Sequence, residues 1–311
     1  MTKFLVAGST GLVGSAVLRK LKEIGQDAVG ISSRDADLKN FREASDVIMK
    51  YRPTCVIDCA AKVGGIKFNN EFPVDFLVDN LEIQNNLMRA AHRFDVEKFV
   101  FLGSSCIYPK LAPQPIREDY LMSGPLETTN SAYAMAKIAG IELINGYRRQ
   151  YGRKWISLMP TNIYGPHDNF NEMTAHVIPA LIRKFVKAKE GDESFVEVWG
   201  TGIARREFLF SDDLAESILF CVDNYDESGL LNIGTGKDIS IKELTTLISK
   251  IVGYEGQIVF NDDYPDGTPR KLLDVSRINE LGWKATTTLE DGLTTTIDWY
   301  QTWKREGKVR A

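Results

Sequence analysis

The apolar run Phe4-Leu5-Val6-Ala7 breaks directly into Gly8-Ser9-Thr10-Gly11-Leu12-Val13-Gly14, which opens an amphipathic stretch. No other segment restricts the fold as much. A strand, a glycine turn and a helix in that order bring free helix amides and the positive dipole end to a strand's end, and the glycines let a pyrophosphate approach the backbone. A lone glycine-rich match is often a plain turn, but its place behind the first strand of an alternating chain makes Gly8 through Gly14 candidate dinucleotide-binding residues. About 20 residues further on, an acidic side chain would hold the ribose 2′-hydroxyl of NAD. This chain has Ser32-Ser33-Arg34 there. The Arg34 guanidinium suits a 2′-phosphate, so NADP(H) is the expected cofactor. Asp35 and Asp37 follow closely and would favour NAD or contact the adenine.

Short β-type runs then alternate with longer amphipathic stretches: a helix over Leu12–Ile24, a strand over Ala28–Ile31, a helix over Phe41–Tyr51 and a strand over Cys55–Ala61. Next come a helix over Val74–Phe94, a strand over Lys98–Leu102, a Pro-rich loop over 109–130, a helix over Ala132–Tyr151 and a strand near Ile156–Met159. Such alternation predicts an α/β fold: a Rossmann-type doubly wound parallel sheet with crossover helices on both faces. Beyond it the pattern weakens into turns such as the one over 264–269, read as a smaller α/β C-terminal substrate lobe. The expected division is 1–165 with about 207–235 for the NADP-binding domain, and about 166–206 with 236–311 for the substrate lobe. The two long helices either form a homodimer interface or only cover the sheet.

A formal net charge of −4 and the lack of an arginine-rich run argue against nucleic acid. The strand starts too early for a signal peptide, and no apolar stretch reaches membrane-spanning length, so no membrane partner and a cytoplasmic location are expected. Cys55, Cys59, Cys106 and Cys221 read as small reduced residues ahead of disulfides or metal ligands, and no metal is expected.

Tyr133-x-x-x-Lys137 puts a phenol and an ammonium on one helix face, where the cation would favour phenolate and ready the tyrosine to protonate a carbonyl oxygen as hydride arrives. The spacing recurs at Tyr300 and Lys304, read as a surface helix. Ser104 and Cys106 lie just past a strand's C-terminal end, where open α/β sheets bind ligands. Alone, each could be a loop former, and the single His176 a structural histidine.

Gly103-Ser104-Ser105-Cys106-Ile107-Tyr108-Pro109, Tyr133-Ala134-Met135-Ala136-Lys137, the 160–170 block and His176-Val177-Ile178-Pro179-Ala180-Leu181 together resemble the extended short-chain dehydrogenase/reductase family. Within it they are similar to a branch acting on nucleotide-sugars. Trp199-Gly200-Thr201-Gly202, Arg206-Glu207-Phe208 and the 265–271 block extend the similarity over nearly the whole chain. The resemblance implies a GDP-sugar substrate, GDP-4-keto-6-deoxy-D-mannose, epimerised at C3 and C5 and then reduced at C4 by NADPH. It implies Cys106 as base, His176 as acid, Tyr133 and Ser104 on the C4 oxygen, and Lys137 on the nicotinamide ribose. It adds Leu102, Gly103, Ser104, Ser105, Pro160, Thr161, Asn162, Ile163 and His176 to the cofactor residues. In the second lobe, Lys184, Arg206 and Arg270 or Lys271 would meet the diphosphate, Trp199 would stack on the base or pack on the sugar, and Asp266 would bind ligand or shape its turn. Arg183 and Lys184 also read as a solvated helix face. One departure is visible: Phe210-Ser211 stand where the family commonly has His-Val. The rivals are an NAD-retaining 4-epimerase or 4,6-dehydratase, which would carry an acidic pair where Ser105-Cys106 stand, and a non-enzymatic NADP sensor, which would not need Tyr133 and Lys137.

Overall fold

The computed structural model describes residues 2–264 and 266–309; Pro265 of the 264–269 turn lies outside them. Along the first half run β1 (Lys3–Ala7), α1 (Leu12–Glu23), β2 (Asp27–Ile31), α2 (Phe41–Tyr51), β3 (Cys55–Asp58), α3 (Ile66–Glu71), α4 (Pro73–Arg93), β4 (Lys98–Leu102), α5 (Ser131–Tyr151) and β5 (Ile156–Pro160). Local chemistry sets the ends. Asn40 caps α2 by accepting from the Arg42 N–H at 2.9 Å, and left-handed Gly152 stops α5.

The second half runs β6 (Asn162–Tyr164), α6 (Val177–Glu190), β7 (Phe195–Trp199), β8 (Arg205–Phe210), α7 (Ser211–Asn224), β9 (Leu230–Ile233), β10 (Asp238–Ser240), α8 (Ile241–Val252), β11 (Gln257–Asn261), β12 (Arg270–Lys271), α9 (Ser276–Leu281) and α10 (Leu289–Arg305).

Six parallel strands form the main sheet in the order β2-β1-β3-β4-β5-β9, with β1, β3, β4 and β5 almost wholly apolar because helices cover both faces. On one face α1 packs on α7; on the other α4 lies between α2 and α5. The expected doubly wound sheet is therefore present. Its winding reverses between β1 and β3, and that switch point is where such sheets bind ligands. Because all six strands are parallel, the loops after β1, β3, β4, β5 and β9 emerge along one edge.

A second hydrophobic core gathers Phe170, Phe185, Leu244, Leu293 and Tyr300 under α6, α8 and α10. Around it β8 pairs with β6, β10 and β12, while β7 pairs with β11. Tyr300 corrects the surface reading of its helix: it is 4% exposed and stacks on Phe170 with ring centroids 4.4 Å apart. Spacing alone could not show that α10 turns this face inward. Among the described residues no helix is long and apolar enough to cross a membrane.

Candidate active site

The glycine loop is a tight cradle. Gly8 has φ +72°, and a Cβ there would stand 2.7 Å from the Cys59 carbonyl oxygen; at Gly14 it would stand 2.2 Å from that of Gly8. Neither position tolerates a side chain. Gly11 is the N-cap residue before α1 and supplies no side-chain cap, which leaves the first helix amides free for an anion. Sequence reasoning missed Gly30 on β2, where a Cβ would lie 2.6 Å from that of Ser9. Its signal was a glycine inside a strand. Beyond β2, the Asp35 carboxylate accepts from the Ser32 N–H and hydroxyl, each at 2.8 Å, and these bonds hold its pKa below the usual range. Asp35 is thus committed to the turn. Arg34 is exposed and forms no ion pair among the described residues. These residues fit a dinucleotide carrying a 2′-phosphate.

Tyr133 and Lys137 share one face of α5, with Phe76 edge-on to the tyrosine ring at 6.3 Å. Buried Lys137 donates to the Leu102 carbonyl at 2.9 Å, and its Nζ lies 5.9 Å from the Tyr133 ring centroid. The expected lowering of the phenol pKa is not found: burial pushes it up, the Cys106 sulfur adds to the rise, and Ser104 only partly opposes them. Lys137 instead faces Asp58, at the end of β3, which sequence reasoning did not single out. Burial raises the Asp58 carboxyl to about 6, against the attraction of Lys137. A charged residue inside the apolar run 55–61 was the available signal.

Past β4, Ser104 caps a single 3₁₀ turn over Ser105–Ile107, its hydroxyl accepting from the Cys106 N–H at 3.2 Å. That turn aims the thiol. Asn130 Nδ2 donates to Cys106 Sγ at 3.3 Å, and Lys271 Nζ lies 3.5 Å from it. Burial alone would raise the thiol pKa, but Lys271, Ser104 and Arg206 outweigh it and the net shift is downward. The magnitudes allow this, since a unit charge about 4 Å away is worth roughly 4 kcal/mol at an effective dielectric near 20.

His176 is the N-cap residue of α6, placed by a braced loop. Asn169 donates to the Thr174 hydroxyl at 2.7 Å, Asn171 accepts from the Met173 N–H at 2.9 Å, and the Gly65 N–H donates to the Thr174 carbonyl at 3.0 Å. Its side chain is solvent-reachable, yet enclosure by the surrounding protein lowers the imidazole pKa and Lys271 lowers it further. The same ammonium thus acts on Cys106 and His176, residues 70 positions apart.

In the second lobe, Lys184 Nζ donates to the Glu197 carbonyl at 2.8 Å and lies 5.3 Å from the Trp199 ring centroid. Trp199, 52% exposed, stacks on Tyr264 with ring centroids 4.4 Å apart. Asp266 shapes its turn, accepting from the Thr201 N–H at 2.8 Å and hydroxyl at 2.6 Å. Arg206 donates to the Asp266 carbonyl at 3.4 Å, while Arg270 pairs with Asp238. Pro160 ends β5, and the side chains of Thr161 and Asn162 donate to the Glu207 carbonyl at 3.3 and 2.8 Å. Ile163 lies beside Leu209, Gly103 stands against Met159, and Ser105 is buried. Buried Glu207, also missed, accepts from the N–H groups of Thr235, Gly236 and Leu273 at 2.7, 2.8 and 2.9 Å. The Phe210-Ser211 departure affects packing: Phe210 lies on Tyr164, and a Cβ on Gly165 would meet the Ser211 hydroxyl at 2.3 Å.

Residues 4–234 match the profile of the NAD dependent epimerase/dehydratase family. The chain is 49% identical over 300 residues to a probable GDP-L-fucose synthase 1 of Oryza sativa subsp. japonica, covering 96% of this chain and 92% of that protein. It is 47% identical over 308 residues to the GDP-L-fucose synthase of Escherichia coli K12, covering 96% of both. Among solved structures, a GDP-L-fucose synthetase from Naegleria fowleri bound to NADP superposes with a TM-score of 0.92 at 31% identity, over all of this chain and 95% of that one.

Proposed function

We infer, because this chain belongs to the NAD dependent epimerase/dehydratase family, that it is a GDP-L-fucose synthase, converting GDP-4-keto-6-deoxy-D-mannose to GDP-L-fucose with NADPH. Near-full-length similarity to enzymes of that name supports the reading. The observation that carries it is the Cys106 thiol, flanked by Lys271 and Asn130 and set beside Ser104 and Tyr133. A plain ketone reductase needs no such base.

NADPH, when bound, supplies the hydride delivered to C4. Cys106 as thiolate takes the proton from C3 or C5, both made acidic by the C4 ketone, and His176 returns one from the opposite face. A lowered pKa makes its imidazolium a stronger acid while reducing how much of it is present. Ser104 and Tyr133 hydrogen-bond the C4 oxygen, stabilising first the enolate and then the alkoxide, to which Tyr133 gives its proton. Lys137 holds the nicotinamide ribose. Gly8 through Gly14 hold the pyrophosphate, while Leu102–Ser105 and Pro160–Ile163 line the nicotinamide end. Lys184 and Arg206 meet the diphosphate, with the base against Trp199.

In this reading residues 1–165 with about 207–235 form the cofactor domain, and 166–206 with 236–311 the substrate lobe. Protomers pair through α4 and α5, whose outer faces expose Val74, Val78 and Met135. The protein works in the cytoplasm, in keeping with four free cysteines.

Mixing the protein with NADPH and GDP-4-keto-6-deoxy-D-mannose in deuterium oxide tests the activity. Nicotinamide oxidation with deuterium at C3 and C5 is expected; absence of oxidation would overturn the assignment. For the cofactor, Arg34→Ala should raise KM for NADPH roughly tenfold, the scale of one lost charge-assisted bond, and barely change that for NADH. Equal effects on both would remove Arg34 from the 2′-phosphate.

A further inference from the structure

We propose that Lys271 is a positioning residue for epimerisation: a fixed cation, strapped across the lobes, that holds Cys106 in its negative, proton-accepting form. The proposal rests on Cys106 being the base. Lys271 occupies the two-residue strand β12, parallel to β8 and in register with Arg206. So short a strand does not hold itself, and the residues after it are tied from two sides. The Leu272 N–H donates to Gln114 Oε1 at 2.9 Å, and the Leu272 carbonyl accepts from the Ile116 N–H at 2.7 Å. The Leu273 N–H donates to buried Glu207 Oε2 at 2.9 Å. The strap therefore joins the β8 strand to the 114–116 loop, and its backbone position is over-determined.

Charge balance points the same way. Neighbouring Arg270 is neutralised by Asp238, whereas Lys271, half-buried, pairs with no carboxylate among the described residues. Its Nζ has the Cys106 sulfur at 3.5 Å. Arg206 on β8 adds a second cation, Asn130 before α5 donates at 3.3 Å, and Ser104 caps the turn carrying the thiol. The Asp266 carboxylate acts on Arg206 and is bonded to Thr201, while Tyr133 from α5 and His176 at the head of α6 face the sulfur and Lys271. Neither of the latter two offers an anion to compete for the ammonium.

The test follows alkylation of Cys106 by iodoacetamide against pH, read by peptide mass spectrometry on the folded, ligand-free protein. Lys271→Met should move the midpoint up by about one unit or more, making the thiol roughly tenfold less reactive near pH 7, with a similar loss of deuterium incorporation at C3 and C5. Lys271→Arg should restore most of both. NADPH binding, unchanged throughout, reports the fold, and Lys271→Gln stands in if the methionine variant does not fold. An unmoved alkylation profile overturns the proposal, including the case in which only KM for the GDP-sugar rises, as a phosphate contact would give. The underlying reading fails separately: Cys106→Ser would then retain exchange, whatever Lys271 does to the sulfur.

Discussion

Cys106→Ser is expected to lose solvent deuterium incorporation at C3 and C5 by roughly 10²–10⁴-fold, the span that one positioned general base contributes, while binding NADPH as the parent protein does. The replacement keeps the shape of the side chain and changes its acidity. A thiol starts near pKa 8.5 and ionises at neutral pH once cations face it; an alcohol starts many units higher, and the cations that poise Cys106 cannot close that gap. The 3₁₀ turn survives the change, because its bond runs from the residue 106 backbone N–H to the Ser104 hydroxyl. Gly8 and Gly14 form the cradle in another loop and are untouched. Exchange can be followed by proton NMR with the oxidised cofactor, so that no reduction drains the substrate. Full retention of exchange in this variant would remove Cys106 from the base role and leave His176 without its partner.

The glycine cradle and the elements around it were legible in the sequence because their determinants are local. The glycine loop, the strands on either side of it and the Ser32-Ser33-Arg34 turn are contiguous segments whose geometry follows from their own residues. The expected elements from β1 to β5 all appear, with ends moved by no more than three residues. The region of the second hydrophobic core was not legible in this way. Its strands are two to six residues long and pair across large separations, as Arg270 does with Arg205, so neither periodicity nor turn chemistry announces them. Buried carboxylates hid for a related reason. Glu207 reads as a solvated charge until the N–H groups of Thr235, Gly236 and Leu273 converge on it. The surroundings of Lys271 were equally hidden: Arg270 and Lys271 are adjacent in sequence, but their side chains diverge, one toward Asp238 and the other toward the thiol.

Asp168→Asn should depend strongly on pH: within about 1 kcal/mol of the parent protein at pH 4, and stabilising by roughly 3–4 kcal/mol at pH 8. Asp168 lies in the turn after β6, between His167, whose ring packs on Trp299 and Trp303, and Phe170, which stacks on Tyr300. It is 4% exposed; one oxygen accepts from the Asn169 N–H at 2.7 Å, and the other is buried without a partner among the described residues. Burial lifts its carboxyl from 3.8 to about 7, opposed only by that bond. Between those two values the folded protein holds a proton that the unfolded chain has released. Stability therefore falls as pH rises through this window and is lowest above it, the reverse of a salt-bridged aspartate. About three units at 1.36 kcal/mol each set the size of the effect. Asparagine never ionises, and its oxygen can keep the Asn169 bond. Its amide nitrogen replaces an oxygen that also lacked a partner, which leaves a pH-independent offset of about 1 kcal/mol. Asp58, raised to about 6, and the histidines titrate in overlapping ranges but are common to both proteins, so they cancel in the difference. Urea unfolding of parent and variant from pH 4 to 8 measures that difference directly. A gap that stays flat across the range would mean that Asp168 ionises in the folded protein as it does in the unfolded chain, and that the pocket around it is not dry.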